Sequence, residues 1–146
     1  MQTQQIAADP SGRRTFAVIF QTGDEPIAGL KQFAKEQRLS ASAFTAIGAF
    51  RKATVAYFDW QSKQYKHIPI DEQVEVLTLL GDISLDEKDK PKVHAHVVLG
   101  RSDGSTRGGH LMEAHVRPTL EVIVTESPAH LRRHHDPDSG LALIRL

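Results

Sequence analysis

Two imidazoles stand two positions apart in Val93-His94-Ala95-His96-Val97-Val98-Leu99. On an extended chain, residues two apart project from one face, so His94 and His96 point together while Val93, Ala95, Val97 and Leu99 turn to the other side. A third imidazole, His110, follows Ser102-Asp103-Gly104, a segment suited to a three-residue hairpin loop with Gly104 in the left-handed position. Pairing Arg101 with Ser105 sets His96 opposite His110 and His94 opposite Met112. Cross-strand partners share a face with Cβ atoms about 4.5–5.5 Å apart. Three imidazoles on one patch can hold a zinc ion and leave a fourth position for water or substrate. Loop parity decides the matter: a two-residue turn at Asp103-Gly104, or a bulge at Gly108-Gly109, would send His110 to the opposite face. His-x-His by itself also fits two plain polar residues on a solvent-facing strand.

The rest of the composition narrows the chemistry. The 146 residues include no cysteine, so any metal must be held by His, Asp or Glu, and a disulfide framework or thiol nucleophile is excluded. Five of the eight histidines fall between Val93 and His130. Eighteen Lys and Arg balance eighteen Asp and Glu, which weighs against tight nonspecific DNA binding. The length and the 40% hydrophobic content suit one folded domain, 1–146, with residues 1–13 as a frayed N-terminal extension. No apolar run approaches the roughly 18–20 residues that span a bilayer, and the N-terminus lacks the basic and apolar regions of a signal peptide. The expected setting is the cytoplasm, with no membrane partner.

The elements that must carry the histidines are mostly strands. Thr15–Gln21 reads as a strand, and Asp24–Arg38 places Ile27, Leu30, Phe33 and Ala34 on one helical stripe, with Asp24 or Thr22 as its cap. Phe44–Phe50, Ala53–Asp59, Gln64–Ile70, Val74–Ile83, Val93–Leu99, Arg107–His115 and Leu120–Glu126 read as further strands, with a charged loop over Leu85–Pro91. Several short strands with one helix predict an α+β domain built on an antiparallel sheet. The absence of βαβ alternation and of a Gly-rich phosphate loop excludes a Rossmann or P-loop reading.

Other residues have two readings each. Gly108-Gly109 allows a ligand or another backbone to approach closely, or marks a plain bulge. Arg51-Lys52 between two strands could take an anionic ligand, or form a solvated turn. Glu75, flanked by Val74, Val76 and Leu77, is expected to need a partner, either a metal-bound imidazole or a salt bridge across a subunit interface. Glu113 and His115 fall on the face opposite His110 and are left out of the metal set. Arg132-Arg133-His134-His135 reads as a solvated run ending in the turn Asp136-Pro137-Asp138-Ser139-Gly140. Trp60 and Tyr65 flank a turn and could cover an interface. No serine is marked as an activated nucleophile.

The order Gly48-Ala49-Phe50-Arg51-Lys52-Ala53-Thr54-Val55, Val74-Glu75-Val76-Leu77, His94-Ala95-His96 and Gly108-Gly109-His110-Leu111 resembles the PPC domain (plants and prokaryotes conserved) from about Thr15 to Leu146. The resemblance implies an antiparallel sheet with a helix packed on it, assembled as a homotrimer. It also implies a metal site at the histidine triplet in prokaryotic members. Plant members follow an AT-hook and associate with nuclear DNA-binding proteins through a Gly-Arg-Phe-Glu-Ile-Leu segment. Here Glu72-Gln73-Val74-Glu75-Val76-Leu77 stands in its place without the Gly-Arg pair, and no Arg-Gly-Arg-Pro hook is present.

The leading expectation is therefore a homotrimer with a His94/His96/His110 zinc site near a subunit boundary, binding or transforming a small anionic ligand. Glu75, Arg51, Gly108 and Gly109 are the candidates for supporting it or contacting that ligand. Hydrolytic or lyase chemistry is physically open to such a site, although the sequence names no substrate. The alternative is a DNA-associated regulator or protein-interaction module without catalysis.

Overall fold

The computed structural model describes residues 1–146. In chain order the elements are β1 (Gln2–Ala8), β2 (Arg14–Gln21), α1 (Pro26–Gln37), β3 (Ala41–Asp59), β4 (Gln64–Ile70), β5 (Val74–Leu85), β6 (Pro91–Gly100), β7 (Thr106–Glu126), β8 (Arg132–His135) and β9 (Ala142–Arg145). All nine strands join one sheet, antiparallel throughout except for a single parallel contact between β5 and β8 at Leu85 and Arg132. β3 pairs with β5, β5 with β6, β6 with β7 and β7 with β3, so these four close a ring. An antiparallel sheet with one helix is the predicted fold.

Alternation explains which side fills the ring. Phe44 and Ala46 on β3, Val76 and Leu79 on β5, Ala95, Val97 and Leu99 on β6, and Leu120, Val122 and Val124 on β7 are all buried in one apolar cluster. α1 lays Ile27, Leu30, Phe33 and Ala34 against it, with Phe33 edge-on to Phe16 of β2 at 5.3 Å. Its cap is Glu25 rather than Asp24 or Thr22, its carboxylate accepting from the amides of Ile27 (3.2 Å) and Ala28 (2.6 Å). Asp24 accepts instead from the Gln21 amide, closing the preceding turn. No helix is long and apolar enough to cross a membrane.

The structure departs from the sequence reading in four places. Residues 2–8, expected to be frayed, pair with β2 as an edge strand. Every one of them is exposed, so burial left no periodic trace in the sequence. Arg51-Lys52 is not a turn between strands. β3 runs through it, and register shifts around Phe50 and Lys52 leave Arg51 exposed on a continuous strand. In the same way Arg107–His115 and Leu120–Glu126 are one strand, β7. The basic run after residue 131 forms β8, and the predicted turn at Asp136–Gly140 connects it to β9, with the Gly140 amide donating to the Asp136 carbonyl at 2.7 Å.

Candidate metal centre

The turn chemistry sets the register as expected. The Arg101 amide donates to the Ser105 carbonyl and the Gly104 amide to the Arg101 carbonyl, both at 2.9 Å, with Gly104 at φ 79°. His96 is thereby opposite His110, Val97 opposite Gly109 and Val98 opposite Gly108. The ladder ends there. His94 has no partner on β7, so the expected pairing with Met112 does not form, and on the other edge of β6 it lies opposite Asp82 of β5.

Gly108 and Gly109 let β7 lie close against both of its neighbours, β6 and β3. A Cβ on Gly108 would sit 2.9 Å from the Val97 carbonyl oxygen, and one on Gly109 would sit 2.7 Å from that of Ala56. Both glycines admit neighbouring backbone. The spacing is tighter than side chains tolerate.

The three imidazoles converge. Their ligating nitrogens all lie within 4.8 Å of one another. The Nε2 atoms of His94 and His96 are 3.2 Å apart. Tetrahedral coordination at metal–nitrogen distances of about 2.0–2.1 Å separates ligand nitrogens by about 3.3–3.4 Å, so this pair already has ligand spacing. The His110 ring stands 5.1 Å from His94 on one side and 5.1 Å from Tyr65 on the other, and its buried Nδ1 has no hydrogen-bond partner. A buried unpaired ring nitrogen carries a desolvation cost that an ion can offset. The donor set and the orphaned nitrogen both fit a metal.

The electrostatics keep His96 and His110 in their binding form. Burial, then the neighbouring His94 and His96 and finally Arg133, push His110 down from 6.5 to about 4. Burial and then His94 also lower His96. Neutral imidazole is the ligating species, and protonation is what defeats metal binding at this kind of site.

The partner of His94 is Asp82, which the sequence reading missed. Its Oδ2 lies 3.3 Å from Nδ1 of His94. Burial alone would raise the Asp82 carboxyl, but hydrogen bonds from His94 and Arg133 outweigh it and hold it below the usual carboxylate range. Arg133 Nη2 reaches both carboxylate oxygens, at 2.7 and 2.9 Å. Arg133 is thus not part of a solvated run: it is 9% exposed, and its Nε also donates to Ser84 Oγ at 2.9 Å.

The other candidates fall away from the cluster. Glu75 is exposed on β5 opposite Gly100, so it is neither buried nor a partner of an imidazole. Arg51 is exposed on β3 well before Ala56, the residue facing His110. Glu113 and His115 pair with each other at 3.0 Å, outside the metal cluster.

This geometry can be set beside known proteins. The family model of the Plants and Prokaryotes Conserved (PCC) domain matches residues 7–128. The chain belongs to that family. The PCC match stops short of the expected end at Leu146, leaving β8 and β9 outside it. A metal-containing protein of Archaeoglobus fulgidus is 34% identical, with a TM-score of 0.83 over 90% of this chain and 93% of that one. A Bacteroides thetaiotaomicron protein, provisionally described as DNA-binding, is 26% identical, with a TM-score of 0.90 over 99% of this chain and 96% of that one. The bifunctional protein GlmU of a Synechococcus species is 29% identical over 135 residues, 90% of this chain. The PCC chain spans only about a fifth (20%) of that relative's length.

Proposed function

We propose that this PCC-domain protein is a cytoplasmic homotrimer that holds zinc on His94, His96 and His110 and binds or transforms a small anionic ligand there. The observation that carries the reading is the convergence of three ligating nitrogens within 4.8 Å on one hairpin. A metal-containing relative of the same fold supports it. Zinc suits an all-imidazole set with one open position, and when bound it lowers the pKa of a coordinated water to about 7. Three neutral imidazoles leave the charge of a divalent ion uncompensated, and Arg133 offsets the one nearby carboxylate, so the site favours an anion. Metal analysis of the purified protein tests this: about one zinc per chain is expected, and a metal-free protein after zinc-supplemented expression overturns it.

Support for the trimer lies on the same outward face. His96 opposes Leu80, Leu80 opposes Thr45 and Thr45 opposes Ile123. Leu80 (54%), Ile123 (43%) and Val98 (38%) are exposed there, with Ile47 (60%) and Leu77 (53%) also exposed on β3 and β5. An apolar patch on a sheet bordering a ligand site is the kind of surface that association covers. Light scattering is expected to report three chains of 16.2 kDa per particle, and a stable monomer at micromolar concentration removes the trimer.

The second reading, DNA association, takes its support from the Bacteroides relative's description. Balanced charge argues against it. The isolated chain is expected to bind DNA no more tightly than about 10⁻⁴–10⁻⁶ M at physiological salt, with no sequence preference. A salt-resistant, sequence-dependent gel shift would favour the regulator instead.

A further inference from the structure

The hairpin of β8 and β9 lies outside the residues that match the PCC family, yet it reaches the candidate centre through one side chain. We propose that Arg133 is a positioning residue for the metal site: it pins Asp82 so that Asp82 holds His94 with its Nδ1 protonated and its Nε2 lone pair aimed at His96 and His110. The inference rests on the metal reading of the previous subsection and deepens it.

The geometry carries the argument. A carboxylate with a guanidinium on both oxygens is an acceptor only, so the His94 nitrogen 3.3 Å from Asp82 Oδ2 must be the donor. An imidazole that donates from Nδ1 presents a bare Nε2, and that is the atom 3.2 Å from Nε2 of His96. Arg133 is itself fixed from three directions. It donates to Ser84 Oγ, to Asp82 and to the Ala142 carbonyl (3.0 Å) across the β8–β9 pair. The Leu85 amide, bonded to the Leu131 carbonyl at 2.9 Å, docks the start of the hairpin on the end of β5. Removal of such an outer partner typically costs a metal site 10–100-fold in affinity.

Asp82→Asn separates this role from simple docking. Asparagine keeps the shape and offers one oxygen, which Arg133 claims, leaving the amide NH2 to face His94. That contact requires an acceptor at Nδ1 and moves the His94 proton to Nε2, into the site. Arg133→Gln removes the pin, and Arg133→Lys keeps the charge without the fork.

The experiment reads two quantities. One is the His94 tautomer in metal-free protein, from ring ¹⁵N shifts. The other is zinc affinity, by competition with a chromophoric chelator. Wild type is expected to show the Nδ1–H form. Asp82→Asn should show mostly the Nε2–H form and bind zinc at least tenfold more weakly, with Arg133→Gln similar in affinity and Arg133→Lys between. A merely structural arginine would lower the melting temperature and leave both readings at wild-type values, which overturns the proposal. So does a wild-type His94 protonated at Nε2. If Arg133→Gln fails to fold, Asp82→Asn decides alone, since Arg133 keeps its bonds to Ser84 and Ala142 in that variant. A wild type that binds no zinc sinks the proposed function, while the tautomer readings still decide the positioning role.

Discussion

His96→Ala is expected to leave the protein folded and unable to keep its metal. His96 is exposed overall, so the substitution removes little packing, and the strand beneath it stays anchored by Ala95, Val97 and Leu99, at 1%, 3% and 0% exposure. What it removes is one of three nitrogens, and two imidazoles with water rarely hold zinc against a competing chelator. Wild type dialysed against a mild chelator should keep about one ion per chain, and the variant none. Thermal melting of both, metal-free, should agree within about 0.5 kcal/mol, as for surface substitutions elsewhere. Equal metal content in the two proteins would remove the site. A variant that collapses when wild type does not would make the metal a folding element rather than a functional one.

The centre could be read from the sequence because one local device sets it. Ser102-Asp103-Gly104 specifies the hairpin loop, the loop specifies the register, and the register puts His96 against His110. The strand interiors were legible for a similar reason, since alternation leaves a trace wherever one face is buried. Asp82 and Arg133 left no such trace. They are 51 residues apart, and only the docking of β8 beside β5 brings them together.

The burial expected of Glu75 fails because Leu77 and Leu80, both exposed, make the β5 run look apolar on both faces. A register shift between Val76 and Thr78 hides the plain alternation of buried Val74, exposed Glu75 and buried Val76. Exposed apolar residues are therefore what blurred the reading, and they are the same residues that support a subunit contact. The edge strand β1 and the four-residue strands β8 and β9 are polar, short or fully exposed, so their pairing is decided by neighbours rather than by pattern.

Acid should unfold the metal-free protein sooner than its composition suggests, through His110. In the unfolded chain this imidazole takes a proton near 6.5, whereas in the fold it does so only at about 4. A depressed folded value means that the unfolded state binds more protons between those limits. Stability is therefore complete above about pH 6.5 and falls as pH drops toward 4. The full shift would correspond to about 3 kcal/mol, and solvent screening of a partly exposed ring reduces it to about 2 kcal/mol. For a chain of this size that amounts to about 5–8 °C in melting temperature. His110→Phe keeps an aromatic ring between Tyr65 and His94 and removes the titration. Between pH 7 and pH 4.5 the metal-free wild type should lose about 5–8 °C more than this variant. Equal losses would mean that the His110 ring is solvated in solution, and with it the buried nitrogen that makes the triplet a metal candidate. Bound metal should abolish the difference at the upper end of the window, since a coordinated imidazole cannot take the proton until the ion has left.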